Sequence, residues 1–204
     1  MSPRTNKQWE SLRAEKRELI KQTALELFAN EGFHSTSIEM IAQKAKISKG
    51  LLYNYFESKE DLLKEIIYSA SNELWEKFDP NHDGILTDEE FIYFIRATLY
   101  AIEANPLFWR LYTVLMLKPN IVHIIGQELI KASAMHIHVL LEYIKIKAQT
   151  DVETEMFVFS SMLKGAILQF VSAPEMVPMA YIEKHITSFY AFRYKIDLQN
   201  ITSK

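Results

Sequence analysis

Apolar residues return at three- and four-residue intervals along most of this chain, and only five glycines and six prolines interrupt its 204 residues. Tight turns lean on those two residue types, so a chain this short of both builds long elements with few connections. Helices meet that condition better than strands, which are shorter and need more turns for the same length. No useful segment alternates with period two, and no internal repeat or low-complexity tract is present. The expected fold is all-α. An apolar fraction of 49% with 24% charged residues is ordinary globular composition, which excludes collagen-like, rod-like and disordered chains.

The chain has no cysteine, which removes disulfide frameworks, thiolate metal sites and cysteine nucleophiles. No window approaches the roughly 18 apolar residues of a membrane span. The start, Met1 to Lys7 running into Gln8, Trp9 and Glu10, lacks the apolar stretch of a signal peptide. A cytoplasmic protein with no membrane partner is expected. The formal charge of −3 hides a split: residues 1–50 hold nine Lys/Arg against six acids, and the remainder holds fourteen against twenty. A basic head permits a polyanion partner at one end. By charge alone an ordinary solvated surface is the simpler reading.

Ile20, Ala24, Leu27 and Phe28 fall on one helical face, predicting a helix over 12–31 that stops at Gly32. Ser35, Thr36 and Ser37 supply a cap for a short second helix carrying Ile38, Ile41, Ala42 and Ala45. Ser48 caps a third with Leu52, Tyr55 and Phe56. Ser58 opens a fourth that runs through Leu62, Ile66 and Leu74 to Phe78, with Glu60 and Asp61 in its first turn, where the helix dipole favours acids. Further helices are predicted at 88–104, 107–118, 120–148, 151–172 and 179–195, with breaks at Pro106, Pro119, Thr150-Asp151 and Pro174 to Pro178.

Three short helices in the first 56 residues, the second and third joined by a tight turn, have the form of a helix-turn-helix. In such a unit the third helix enters a major groove about 12 Å wide with its first residues at the base edges. Here those residues are Ser48, Lys49, Gly50 and Leu51, followed by Tyr53 and Asn54. They offer a hydroxyl, a cation, a small residue for close backbone approach, an apolar group for a thymine methyl and an aromatic hydroxyl for phosphate. Lys44, Lys46, Lys49 and Lys59 bracket them. A plain three-helix bundle is the competing reading from spacing alone.

The run from Ala29 to Ala45, then Ile47 to Phe56 and Ser58 to Leu62, closely resembles the DNA-binding domain of the TetR family of bacterial transcriptional regulators. The resemblance covers residues 12–65, about a third of the chain; the rest fits only the family's general plan. It implies a helix-turn-helix domain at 1–57 and a larger helical ligand-binding and dimerisation domain at 58–204. It also implies a homodimeric repressor that reads a palindromic operator in double-stranded DNA and is released by a small-molecule effector. By family position Thr36, Ser37, Lys49, Gly50, Leu51, Tyr53 and Asn54 would face DNA, and Lys59 would hold a phosphate. Lys46 departs from the glycine often found in the family's turn; lysine suits most turn conformations, though not a strained one with positive φ.

Asp79 to Glu90 matches the twelve-residue EF-hand loop and resembles that calcium-binding family over about 25 residues. Calcium takes six to eight oxygens. Asp79, Asn81 and Asp83 stand at positions 1, 3 and 5, Ile85 would lend a backbone carbonyl at 7, and Thr87 stands at 9. Glu90 would close the site at 12, and Gly84 makes the turn at 6. One Ca2+ per chain is the implied cofactor. The same residues also read as an ion-free linker: a helix end at Asp79-Pro80, a turn at His82-Asp83-Gly84, and a capping box of Thr87 with Glu90.

Aromatic and methionine side chains crowd the middle helices. Trp75, Tyr100, Trp109, Tyr112, Met116 and Phe159 are candidates for a pocket holding a small apolar or aromatic effector, or simply for core. His136 and His138, two apart, diverge on a helix and do not suit a metal. The last two helices carry apolar stripes, one with Phe157, Gly165 and Leu168 and the other with Ile182, Ile186, Phe189 and Phe192. In the family such helices pair between subunits; intrachain packing is the alternative. No glycine-rich phosphate loop, nucleophile elbow, H-E-x-x-H or paired-carboxylate arrangement is present, so no enzyme is expected. A calcium sensor acting through residues 79–90 is the second functional reading.

Overall fold

The computed structural model describes residues 6–148 and 151–201. Met1 to Thr5, and Thr150 at the expected break before Asp151, lie outside the described residues. The described residues are helical without a strand: α1 (Asn6–Asn30), α2 (Ile38–Lys44), α3 (Lys49–Tyr53), α4 (Lys59–Trp75), α5 (Asp88–Ala104), α6 (Pro106–Met116), α7 (Pro119–Lys147), α8 (Val152–Ser172) and α9 (Met179–Tyr194). Among them no helix is long and apolar enough to cross a membrane.

Local chemistry sets the helix starts. Ser37, Ser48, Thr87 and Asp151 each accept a backbone N–H of the first turn of α2, α3, α5 and α8. Ser58 does the same for α4, accepting from the Asp61 N–H at 3.0 Å. Pro106 and Pro119 open α6 and α7, where a missing N–H costs nothing. The fourth helix stops at Trp75 rather than Phe78: the chain tightens through Lys77 and Phe78, whose N–H groups bond three residues back to Leu74 and Trp75. Asp79-Pro80 follows, and the residue before a proline is driven out of helical conformation.

The turn between α2 and α3 corrects one expectation. Lys46 adopts φ +55°, the left-handed region. Its N–H bonds to the Gln43 carbonyl at 3.1 Å and that of Ile47 to the Ala42 carbonyl at 3.0 Å. This paired pattern closes a helix end by turning one residue left-handed. Lysine therefore occupies the strained conformation at a cost of roughly 1 kcal/mol.

The chain divides into two compact units. The first contains Met1–Ala70 with Leu111–Gly126; the sequence-based boundary at 57/58 falls inside it. Its core joins Ile20, Phe28 and Phe33 to Ile38, Ile41, Ala42, Leu52, Phe56 and Leu62, all buried. Each large side chain contributes about 1.5–3 kcal/mol on burial. The second contains Ser71–Arg110 with Gln127–Lys204. There Phe91 of α5 packs its ring against Tyr143, Phe159, Tyr190 and Tyr194. Beside them the Glu155 carboxylate is wholly buried, accepting from Arg193 Nε at 2.7 Å and the Tyr194 hydroxyl at 2.9 Å.

Candidate nucleic-acid interface

α3 is only five residues long, and its orientation rests on the apolar side. Leu52 and the following Phe56 are buried with Ile41 and Ala42 of α2, which turns the other side outward. Lys49, Gly50, Tyr53 and Asn54 are exposed there and Leu51 is half-buried. Ser48 and Ser37 spend their hydroxyls as cap acceptors, for the Leu51 N–H at 3.1 Å and the Met40 N–H at 3.2 Å. The Lys49 ammonium pairs with the Glu39 carboxylate of α2; that hydrogen bond pushes the lysine above and the glutamate below their ordinary pKa values. Both side chains are well exposed, so a phosphate can replace the glutamate at little cost. At Gly50 an added methyl would meet nothing within 4 Å. Nothing inside the unit requires glycine there, although glycine costs a helix about 1 kcal/mol against alanine.

Two of the expected DNA-facing residues point elsewhere. Thr36 is buried, and its hydroxyl donates to the Gly32 carbonyl at 2.9 Å. Lys59 turns its ammonium into the loop before α2, donating to the carbonyls of Phe33 at 2.7 Å and Thr36 at 2.8 Å, with the Phe33 ring 4.5 Å away. Most of its donor capacity is thus committed within the unit. A second clamp, which the sequence reading did not single out, lies behind α3. Arg17 donates to Glu65 at 2.6 Å and to the Tyr55 carbonyl at 3.1 Å, and stands 4.6 Å over the Phe56 ring. It ties α1, the end of α3 and α4 together.

Residues 20–66 match the family described as bacterial regulatory proteins, tetR family, and the match spans the capped α2–turn–α3 pair. This segment is similar to the tetR-family helix-turn-helix. It is also similar to the uncharacterized HTH-type transcriptional regulator YuxN of Bacillus subtilis (strain 168), at 55% identity over 53 residues. That is 26% of this chain and 18% of YuxN, so the chain spans under a fifth of that relative. A longer likeness, 25% identity over 140 residues, covers 69% of this chain and 71% of the uncharacterized HTH-type transcriptional regulator YhgD of the same organism. The fold as a whole is similar to the fatty acid degradation regulator FadR from Bacillus halodurans, with a TM-score of 0.66 at 15% identity over 84% of this chain and 96% of that one.

The second unit contains a cleft of about 470 Å³ between the end of α4, the loop before α5, and α7. Phe78 and Val139 are buried in its floor, with Trp75 and His136 half-buried beside them. The Trp75 indole stacks with Phe94 and with His136 and donates to Ser133 Oγ at 3.2 Å. Glu76, Asp79 and Asp83 put three carboxylates around the cleft, and no lysine or arginine lines it. Two buried atoms in its wall, Asp79 Oδ1 and His136 Nδ1, bond to no protein group. Burial lowers the His136 pKa, against the opposing pull of Asp79.

Of the residues expected in an effector pocket, Trp75 lines this cleft. Tyr100 is exposed, Trp109 is buried and donates to the Ala101 carbonyl, and Phe159 is buried against Phe91. Tyr112 and Met116 belong to the first unit. His136 and Val139, three apart on one face of α7, are the sequence signal that marks the cleft's far wall.

The 79–90 loop is folded by its own side chains. Asp79 Oδ2 accepts the Gly84 N–H at 2.9 Å, Asn81 accepts that of Asp83 at 3.0 Å, and Asp83 accepts that of Ile85 at 2.8 Å. His82 and Gly84 take positive φ. Thr87 and Glu90 form the reciprocal capping box of α5, with the Glu90 carboxylate accepting from the Thr87 N–H and hydroxyl. Among the described residues no three acidic or imidazole groups converge on a common point. A cation would need Glu90 to leave the box.

Proposed function

We propose that this protein is a DNA-binding transcriptional regulator and not an enzyme, acting in the cytoplasm as a homodimeric repressor. It reads a palindromic operator through Ser48 to Asn54 and lets go when a small apolar or aromatic effector enters the second unit. The observation that carries this reading is the outward face of α3: exposed Lys49, Gly50, Tyr53 and Asn54 held on a buried Leu52 and Phe56. Dimerisation is supported by α8, where few residues are buried although most of its length is apolar, and by Phe157 and Phe192, 70% and 90% exposed. Selection of binding sites from random duplex DNA tests the reading. Wild-type protein is expected to enrich a palindrome, and Lys49→Ala and Tyr53→Ala to lose affinity for it while keeping their helical signal. No enriched sequence, or equal affinity in both variants, would overturn it.

A second reading concerns the loop. The buried Asp79 Oδ1 without a protein partner supports a Ca2+ held by Asp79, Asn81, Asp83, the Ile85 carbonyl, Thr87 and Glu90. Its test is calorimetric titration of calcium into chelator-stripped protein. One site per chain, lost in Glu90→Gln, is the expected result; no heat up to about 1 mM calcium would reduce the loop to a capped linker. Glutamine can still cap the Thr87 N–H, so the variant separates ligation from folding.

A further inference from the structure

We propose that the cleft under the 79–90 loop binds a small organic cation, a protonated amine on an apolar body, with Asp79 Oδ1 as its principal acceptor. The inference rests on the effector reading above and names the ligand class for it.

Three features of the cleft converge on that chemistry. Its fixed charge is negative: Glu76, Asp79 and Asp83 line it together with two imidazoles, His82 and His136, and no lysine or arginine. Low-dielectric walls strengthen such a field and draw a cation in. Its floor is apolar, with Phe78 and Val139 buried, which suits a hydrocarbon or aromatic body and gives no acceptors to a naked metal ion. Its wall carries two buried atoms that nothing in the protein satisfies, Asp79 Oδ1 and His136 Nδ1. Buried polar atoms are almost always hydrogen-bonded, so a pair of orphans in one cleft marks the place where a ligand's polar end makes its contacts.

The arrangement also limits the ligand. Phe94 and His136 each stack on the Trp75 indole, which leaves less of its surface for stacking on a flat cation. Affinity must then come from a charge-assisted hydrogen bond to Asp79 with the apolar body buried below it. A carboxylate ligand is repelled by the three acids. The Gly84 N–H already holds Oδ2 of Asp79 at 2.9 Å, which leaves Oδ1 as the carboxylate oxygen without a protein partner. Calcium in the loop would claim the same carboxylate, so amine and calcium compete for it.

The test is calorimetric titration of the full-length protein, in chelator and without DNA, using 2-phenylethylamine as probe with 2-phenylethanol and phenylacetate as controls. The amine is expected to bind once per chain. The alcohol and the Asp79→Asn variant are each expected to weaken binding by about tenfold or more, the usual scale for a charge-assisted contact. Phenylacetate is expected not to bind. Equal binding of amine and alcohol, unchanged binding in Asp79→Asn, or no amine binding up to about 10 mM would overturn the proposal. Should Asp79→Asn lose its helical signal, Glu76→Gln replaces it, with a smaller weakening expected and no change counting against. DNA takes no part, so a failed titration leaves operator reading intact, and a failed selection leaves the titration intact.

Discussion

The ammonium of Lys59 lies 2.8 Å from the carbonyl oxygen of Thr36, so the first residue of α4 closes the loop that leads into α2. A second bond to the Phe33 carbonyl and the ring below it make this a three-point clamp. Lys59→Ala removes a charged donor from two half-buried acceptors. A stability loss of about 1–3 kcal/mol is expected, read as a lower midpoint in urea. Lys49→Ala is expected to leave that midpoint essentially unchanged, because the ammonium and its partner Glu39 are both exposed. Equal midpoints for the two variants would refute the clamp.

The left-handed Lys46 gives the opposite sign. Glycine adopts φ near +55° without strain, although it also enlarges the unfolded ensemble. Lys46→Gly is expected to stabilise the protein by about 0.5–1 kcal/mol. Lys46→Val, with a branched Cβ in that conformation, is expected to destabilise it. Urea midpoints of the two variants on the same side of wild type would contradict this.

Gly50 separates folding from recognition. Alanine at this position meets nothing within 4 Å and is the better helix former, so Gly50→Ala is expected to gain up to about 1 kcal/mol. The same methyl stands on the surface proposed to approach DNA. Anisotropy titrations with the selected palindrome are expected to show weaker binding by a more stable protein. A variant that binds as well as wild type would mean that the backbone at Gly50 does not approach the duplex closely.

Most helix starts were legible in the sequence, although α1 begins at Asn6 rather than at residue 12; the direction of individual side chains was not. Ser37, Ser48, Ser58 and Thr87 cap where expected, because capping is settled within four residues, while Asp151, expected as the first helical residue, caps α8 instead. Thr36 and Lys59 fold into the loop before α2 because that loop leaves carbonyls to satisfy, a need visible only once α1, α2 and α4 are in place. Trp75 lines the cleft while Trp109 and Phe159 enter the core. Aromatic density records that a helix is apolar and leaves open which cavity a given ring faces.

Exposed aromatic surface supplies the next prediction. Phe192 is 90% exposed near the end of α9, and Phe157 is 70% exposed on α8. With a charge at either site a self-complementary apolar interface loses packing and gains like-charge repulsion across a two-fold axis. Phe192→Glu is expected to shift the sedimentation coefficient from dimer to monomer at micromolar concentration with the helical signal preserved. A wild-type monomer would refute the dimer, and a variant that remains dimeric would place the interface elsewhere.

Glu155 and Arg193 carry the sharpest stability test. The carboxylate is 0% exposed and takes Arg193 and the Tyr194 hydroxyl as partners. Arg193 is half-exposed, but removing it leaves a wholly buried carboxylate without its counter-charge, at a cost of up to about 3–5 kcal/mol. Arg193→Ala is therefore expected to be severely destabilising. In the double variant Glu155→Met with Arg193→Ala the stranded carboxylate is gone and an apolar side chain fills its place. The double is expected to be more stable than Arg193→Ala alone, recovering about 1 kcal/mol or more in a urea-denaturation cycle. Additive losses would mean that Glu155 is held by packing and by Tyr194 rather than by the arginine.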